Sequence, residues 1–230
     1  ANIFVCMSDP AGGMDWHENR YNAKGHAAQL CSQEGLGVTQ ADRSYTYLSY
    51  VFDKVDGDHL TASSSDIGLL SELYGSNEAS DELPVQIGAY ASIVYDLKNR
   101  DPARLLELLE GDIDLVEAMK PFHLTDVLGG GYIGNAETNT LYRLREGIEQ
   151  LFIGDDTGQH NSSYGTAHIP TMFDNVTVPA PDHHGSTRGS NVLYMDGHVA
   201  FVRHAKGFPN TDAFAELMRA METHPSFMKK

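Results

Sequence analysis

The sequence predicts an α+β protein, with helices in the middle of the chain and a small antiparallel sheet towards its end. Apolar residues recur at near-helical spacing between Pro84 and Arg100, which is typical of a helix with a buried face. Two alternating apolar and polar runs flank Asp196-Gly197, and such alternation indicates strands. The run from Tyr45 to Val55 is rich in aromatic and β-branched residues and apolar on both faces, which favours a largely buried strand.

The charge of the chain excludes several classes of partner. Its 230 residues carry a formal net charge of −16 at pH 7, whereas nucleic acids and anionic membranes require a basic surface that displaces their counterions. We expect no nucleic-acid partner. No run approaches the roughly 18 apolar residues that span a bilayer, so we expect contact with a membrane only through an N-terminal helix outside this chain.

The two cysteines, Cys6 and Cys31, lie in an N-terminal stretch rich in glycine, serine and aspartate. An even number of cysteines suits a disulfide in an oxidising compartment. Two buried free thiols are equally compatible with the sequence, so the pairing stays open.

Helices are predicted for most of residues 60–135, which we interpret as a helical insertion. Ser65-Asp66 can cap a first short helix, and the run from Pro84 to Arg100 forms a second. Asp101-Pro102 starts a third, because aspartate caps helices and proline is tolerated at their first position. We expect the leucine faces of these helices to be core.

The last third of the chain contains further elements. Asn139 to Gln150 reads as a short amphipathic helix, Leu151 to Ile153 as a buried strand, and Thr211 to Glu222 as a helix behind the candidate cap Asn210. Between Ser190 and Val202 the pattern predicts a tight hairpin. A type I′ turn requires positive φ at both central residues, which Asp196-Gly197 adopts at low cost.

Four pieces of the sequence, in this order, resemble one family. They are residues 4–10, residues 44–47, the run from Leu141 to Glu149 leading to residues 152–155, and the hairpin from Asn191 to Val202. They are similar to the prepilin-type proteins, found in planctomycetes and lentisphaerae, that are related to the major pseudopilin of type II secretion and carry a C-terminal H-X9-DG domain. Eleven residues separate His184 from Asp196, two more than that name specifies, and Met7 stands where the family usually has proline.

The resemblance implies a pilin-like head over residues 1–230, its N-terminal pilin helix missing or truncated, with residues 140–204 as the C-terminal signature region. It implies a non-enzymatic subunit of a type II secretion or type IV pilus-like system. The partners would be other pseudopilins or secretion components. The full-length precursor would be cleaved by a prepilin peptidase and anchored in the inner membrane, with the head periplasmic or extracellular.

Calcium is the one cofactor that the resemblance suggests, since related pseudopilins bind it near their C-termini. Hard oxygen ligands suit that ion, and four carboxylates lie in the loops before the hairpin: Asp155, Asp156, Asp174 and Asp182. Solvated loop carboxylates remain the simpler reading, so we expect no cofactor and keep calcium as the possible one. His184 is expected to be structural, bridging the long loop to the hairpin backbone, and Asp196 and Gly197 to form its turn.

Two further functions stay open. An exported binding protein could use the pilin scaffold to present residues 60–135 to a glycan or protein, and a deep groove or large apolar patch there would favour it. A metal-dependent enzyme could instead hold zinc or iron through the histidines and aspartates around the hairpin, which are Asp182, His183, His184, Asp196, His198 and His204.

Overall fold

The computed structural model describes residues 45–55, 59–63, 66–67, 70–74, 82–120, 131–152, 165–176 and 189–224. Over these residues the fold is α+β, as predicted. Expectations for Cys6, Cys31, the N-terminal helix and the loop with His184 lie outside the described residues. The described strands are β1 (Tyr45–Tyr47), β2 (Thr61–Ser63), β3 (Glu82–Pro84), β4 (Ile113–Asp114), β5 (Thr140–Leu141), β6 (Pro170–Asp174), β7 (Gly189–Tyr194) and β8 (Val199–Arg203). The described helices are α1 (Leu70–Tyr74), α2 (Val85–Arg100), α3 (Pro102–Leu109), α4 (Leu115–Met119) and α5 (Asp212–Thr223).

The main sheet has four antiparallel strands in the order β1-β6-β7-β8. The predicted hairpin is confirmed, because β7 and β8 pair from Gly189↔Arg203 to Leu193↔Val199. Two smaller antiparallel pairs, β2 with β3 and β4 with β5, lie beside the helices in sequence. The hairpin therefore forms one side of the main sheet, and β8 is its edge strand.

The run from Tyr45 to Val55 is mostly buried, as predicted, but only its first three residues join the main sheet. Further along, the amide of Val51 donates to the carbonyl of Tyr142, and the carbonyl of Ser49 accepts from the amide of Leu144. The segment therefore changes partners along its length. Residues 45–47 pair with β6, whereas residues 49–51 bond to the 142–144 segment.

Helices α2 and α3 lie where their periodicity placed them. The side chain of Asp101 accepts a hydrogen bond from the amide of Arg104 at 3.0 Å, as expected for a cap of α3. The predicted cap of α5 is wrong: the hydroxyl of Thr211, not Asn210, accepts from the amide of Phe214. The Asn210 side chain donates instead to Ser190 and to the carbonyl of Val202, which ties the end of the hairpin to the start of α5.

The helix predicted from Asn139 to Gln150 and the strand predicted from Leu151 are both wrong. Residues 140–141 form β5, residues 142–144 pair with the 49–51 segment, and a 3-10 helix covers Ile148–Leu151. The amide of Arg143 donates to the carboxylate of Asp112. These long-range bonds oppose the local helical pattern of apolar residues, and the extended conformation prevails.

One large core joins the helices to the inner face of the main sheet. Phe173 of β6 makes edge-to-face contacts with Phe208 and Phe214, with ring centroids 5.7 Å apart in each pair. Helix α2 is buried around most of its circumference. The described helices α1, α2 and α4 thus share one core with the predicted hairpin. None of the helices in the described part of the chain has the length and apolar character that crossing a membrane requires.

Candidate functional site

The hairpin turn is built differently from the type I′ turn that the sequence predicts. The amide of Gly197 donates to the carbonyl of Tyr194 at 2.9 Å, and the amide of Tyr194 donates to the carbonyl of His198 at 3.0 Å. Only Gly197 of this loop has a positive φ, at 89°. The loop therefore has three residues with a left-handed glycine at its end, a common alternative hairpin. Asp196 avoids positive φ and uses its carboxylate in the turn instead.

His198 is held by groups on both sides of the turn. Asp196 Oδ1 accepts from the amide of His198 at 3.0 Å and lies 2.6 Å from its Nδ1. These hydrogen bonds, first that of the amide and then that of the ring, lower the pKa of the Asp196 carboxyl. The Tyr194 ring stacks on the imidazole, with centroids 4.5 Å apart and planes 6° from parallel. The ring position of His198 is thus set, and Nε2 is the nitrogen that this pair does not use.

A cleft of about 210 Å³, which we call the hairpin cleft, lies beside this turn. It combines two imidazoles, from His168 and His198, with the ring of Tyr194. Such a cleft is small for an organic substrate, since ligand pockets usually measure about 300–1,000 Å³. Its other lining residues are Val55, Ala167, Pro170 and Phe208.

The predicted enzyme cluster is only partly within the described residues. His198 pairs with Asp196, whereas His204 Nε2 lies 3.0 Å from Asp212 Oδ1 at the start of α5. The two histidines therefore have separate carboxylate partners. Among the described residues, no three or more histidines, cysteines, aspartates or glutamates are grouped so that they could hold a metal ion. Asp182, His183 and His184 lie outside the described residues.

Of the four predicted calcium ligands, only Asp174 is described. It lies on β6, is buried, and its Oδ2 accepts hydrogen bonds from the amide of Asn191 at 2.8 Å and from its side chain at 2.9 Å. Asp174 therefore ties β6 to β7. Asp155, Asp156 and Asp182 lie outside the described residues, so calcium binding stays a prediction.

The outer face of the main sheet carries an apolar row that the sequence did not single out. Tyr47, Met172, Leu193 and Val199 pair in register across all four strands, and paired residues share a face of the sheet. We call these four residues the outer row. At its two ends Tyr47 is 64% exposed and Val199 is 61% exposed, and Phe201 next along β8 is 43% exposed. An apolar row this open favours contact with another macromolecule.

A second concave surface, the helical groove, lies between α2, α3 and α4 and has a volume of about 380 Å³. The sequence predicts that the apolar faces of α2 and α3 belong to the core, yet part of them lines this groove. Periodicity identifies an apolar face but does not show whether a neighbour covers it. The lining is apolar at Ile93, Leu97, Leu108 and Ala118 and charged at Asp96, Arg104, Asp114 and Glu117.

A buried polar network lies at the other end of α2 from the groove. Asn135 donates to Asp53 Oδ1 at 2.7 Å and to the carbonyl of Val51 at 2.8 Å, and Gln86 of α2 donates to the same Asp53 oxygen at 3.0 Å. In the sequence, Gln86 is 33 positions and Asn135 is 82 positions away from Asp53. Sequence reasoning missed the network because nothing local marks such partners.

Comparison of the chain with protein-family models, with curated proteins and with solved structures gave no match. The functional assignment consequently depends on the residues and geometry described above.

Proposed function

We propose that this chain is the non-enzymatic head of a pseudopilin-like subunit, which acts in the assembly of a type II secretion or type IV pilus-like filament. The observation that supports the proposal is the outer row, an apolar row that is half-buried in its middle and exposed at both ends, on a sheet whose edge strand belongs to the predicted hairpin. A subunit of an assembly needs exposed apolar surface for its neighbours. An enzyme instead needs reactive side chains that converge on a substrate.

Two of the described histidines, His198 and His204, are arranged in a way that suits a structural role. Asp196 and His198 brace a turn, and His204 and Asp212 connect the hairpin to α5. Each pair joins neighbouring elements, as expected of residues that stabilise a scaffold.

The experiment that tests the proposal follows the gene product in its own cells. Mass spectrometry of the mature protein is expected to find a processed, N-methylated apolar segment ahead of the head, and shearing of the cells is expected to release the protein with filaments. An unprocessed protein that stays in the cytoplasmic fraction would contradict the proposal. Deletion of the prepilin peptidase gene provides the control, because it should abolish processing.

The helical groove favours a second candidate, an exported binding protein that recognises a glycan or protein through residues 60–135. Its apolar lining with a few charged groups is typical of ligand sites. Arrays of glycans and peptides, probed with the wild-type head and with a Leu108→Arg variant, separate the two functions. Binding that the variant loses, by a protein absent from sheared filaments, would favour this candidate.

A further inference from the structure

The hairpin cleft has two imidazoles in its wall. His168 and His198 line it together with Tyr194, and none of the described residues that line it carries a carboxylate. Both histidines are exposed, so water and dissolved ions can reach them. Imidazole nitrogens bind zinc, copper and nickel, whereas calcium and magnesium require oxygen ligands. The lining of the cleft therefore favours a transition-metal ion.

His198 presents one particular nitrogen to the cleft side of this pair. Asp196 Oδ1 lies 2.6 Å from Nδ1, and a carboxylate only accepts hydrogen bonds, so in the neutral imidazole Nδ1 carries the proton and Nε2 keeps the lone pair. The hydrogen bonds from the amide and the ring of His198 lower the pKa of the Asp196 carboxyl, which keeps this group ionised at neutral pH. A carboxylate behind a histidine fixes the tautomer of the ligand in metal sites.

His168 comes from a separate element beside the hairpin. It ends the 3-10 helix Thr166–His168, and its amide donates to the carbonyl of Gly165 at 2.9 Å. The carbonyl of the next residue, Ile169, accepts from the amide of Met195 at 2.9 Å. The backbone is therefore held against the hairpin, while the exposed side chain of His168 can change its rotamer on a nanosecond timescale.

The size of the cleft suits an ion better than an organic molecule. Its volume of about 210 Å³ is below the usual range of ligand pockets, but it admits one ion with water ligands. Two protein ligands are fewer than zinc sites usually have, in agreement with the absence of a larger ligand group among the described residues. Coordination positions therefore remain for water or for a group of another molecule.

We propose that His168 and His198 together bind one Zn²⁺ ion in the hairpin cleft. Nε2 of His198 is one ligand, a ring nitrogen of His168 is the second, and water completes the coordination. Asp196 is a positioning residue, which acts through His198. The ion connects the turn before β6 to the turn between β7 and β8, and so it stabilises this end of the main sheet by binding only the folded chain.

This site differs from the zinc or iron cluster that the sequence suggests. That cluster includes His204, which pairs instead with Asp212, and it does not include His168. Sequence reasoning missed His168 because it lies far from His198 in the chain and no spacing rule relates the two. The site is also independent of the filament role, since it uses neither the outer row nor the helical groove.

Calorimetric titration of the chelator-treated 230-residue chain with Zn²⁺ tests the site. His168→Ala and His198→Ala are each expected to weaken binding about tenfold or more, and Asp196→Asn about tenfold, because loss of the carboxylate frees the tautomer. His204→Ala is the matched control and should leave the affinity unchanged. Excess Ca²⁺ or Mg²⁺ should not displace the zinc.

Electron paramagnetic resonance of bound Cu²⁺ separates a ligand from a positioning residue. The wild type should show two coordinated imidazole nitrogens, and each histidine variant should show one. Asp196→Asn should retain two at its lower affinity. Melting temperatures measured with chelator verify that each variant folds, and zinc should then raise the melting temperature of the wild type but not that of His168→Ala.

Three results would overturn the site. They are no binding of zinc by the wild type, equal affinity in the wild type and His168→Ala, and loss of binding only when His183 and His184 are replaced. If His198→Ala does not fold, His168→Ala decides the question, because its side chain is exposed. A protein that binds zinc through this pair but is not processed in its cells would retain the site and lose the filament role.

Discussion

Replacing Asn135 by alanine tests the buried network that joins α2 to two distant loop segments. Asn135 is fully buried, and its side chain makes three hydrogen bonds. It donates to the carbonyl of Val51 and to Asp53 Oδ1, and its Oδ1 accepts from the amide of Tyr142 at 2.6 Å. Asn135→Ala removes all three hydrogen bonds and leaves each partner without the one that Asn135 supplied.

The loss of stability can be estimated from these three hydrogen bonds. A buried polar group left without a hydrogen bond costs about 1–3 kcal/mol, and a charged one costs more. Asp53 retains its bond from Gln86, which reduces its loss. We therefore expect the free energy of unfolding to fall by roughly 3–5 kcal/mol, a large share of the 5–15 kcal/mol that is usual for a domain.

Urea denaturation followed by circular dichroism measures this change, and thermal melting should show a fall of roughly 10 °C for a chain of this length. Asn99→Ala is the matched control, because Asn99 is exposed and donates to the carbonyl of Tyr95 in its own helix. The control should change stability by less than about 0.5 kcal/mol. Equal small losses in the two variants would refute the argument that the network stabilises the fold.

Three further predictions concern packing, pH and calcium. Gly134→Ala should destabilise the fold severely, because an added Cβ would lie 2.3 Å from backbone atoms of residues 139 and 140, whereas Gly111→Ala meets nothing within 4 Å; melting temperatures compare the two. Partial burial raises the pKa of Asp112, but hydrogen bonds from the Arg145 side chain and the amide of residue 143 outweigh it and hold the pKa below its usual range. The stabilisation is therefore present above the unfolded pKa of about 3.9 and is lost as the pH falls through the lower folded pKa. Asp112→Asn should therefore lower the free energy of unfolding by up to about 1 kcal/mol at pH 7 and match the wild type in acid. Urea titrations at several pH values measure this difference. Calcium added to chelator-treated protein tests the calcium hypothesis: a site requires heat of binding and a higher melting temperature, whereas solvated carboxylates give neither, and absence of both responses excludes a site that includes Asp174.

The parts of the fold that could be predicted are those encoded by neighbouring residues. Helix α2 follows from apolar spacing over sixteen residues, and the start of α3 from Asp101-Pro102. The hairpin follows from alternation around Asp196-Gly197. Its turn type could not be predicted, because Asp-Gly is compatible with more than one turn and the hydrogen bond that the amide of His198 donates to Asp196 Oδ1 favours the longer loop.

The candidate surfaces were harder to predict from the sequence than the helices and strands that form them. The amphipathic patterns of α2 and α3 predict apolar faces, but exposure of Leu106 and the groove at Leu108 depend on which neighbours cover them. The outer row requires the register of four strands that lie far apart in the chain. Register is set by pairing across the sheet, which a local pattern does not specify.

The sequence by itself determined the fold class, the longer helices and the position of the hairpin, because spacing, capping and turn preferences act within a few residues. Only the tertiary structure decided that Asn210 binds the hairpin instead of capping α5, and that residues 142–144 are extended instead of helical. The tertiary structure also decided which apolar faces remain exposed to solvent. The physical reason is the same in each case: burial and hydrogen-bond partners come from residues far away in the chain, and their combined free energy exceeds local preference.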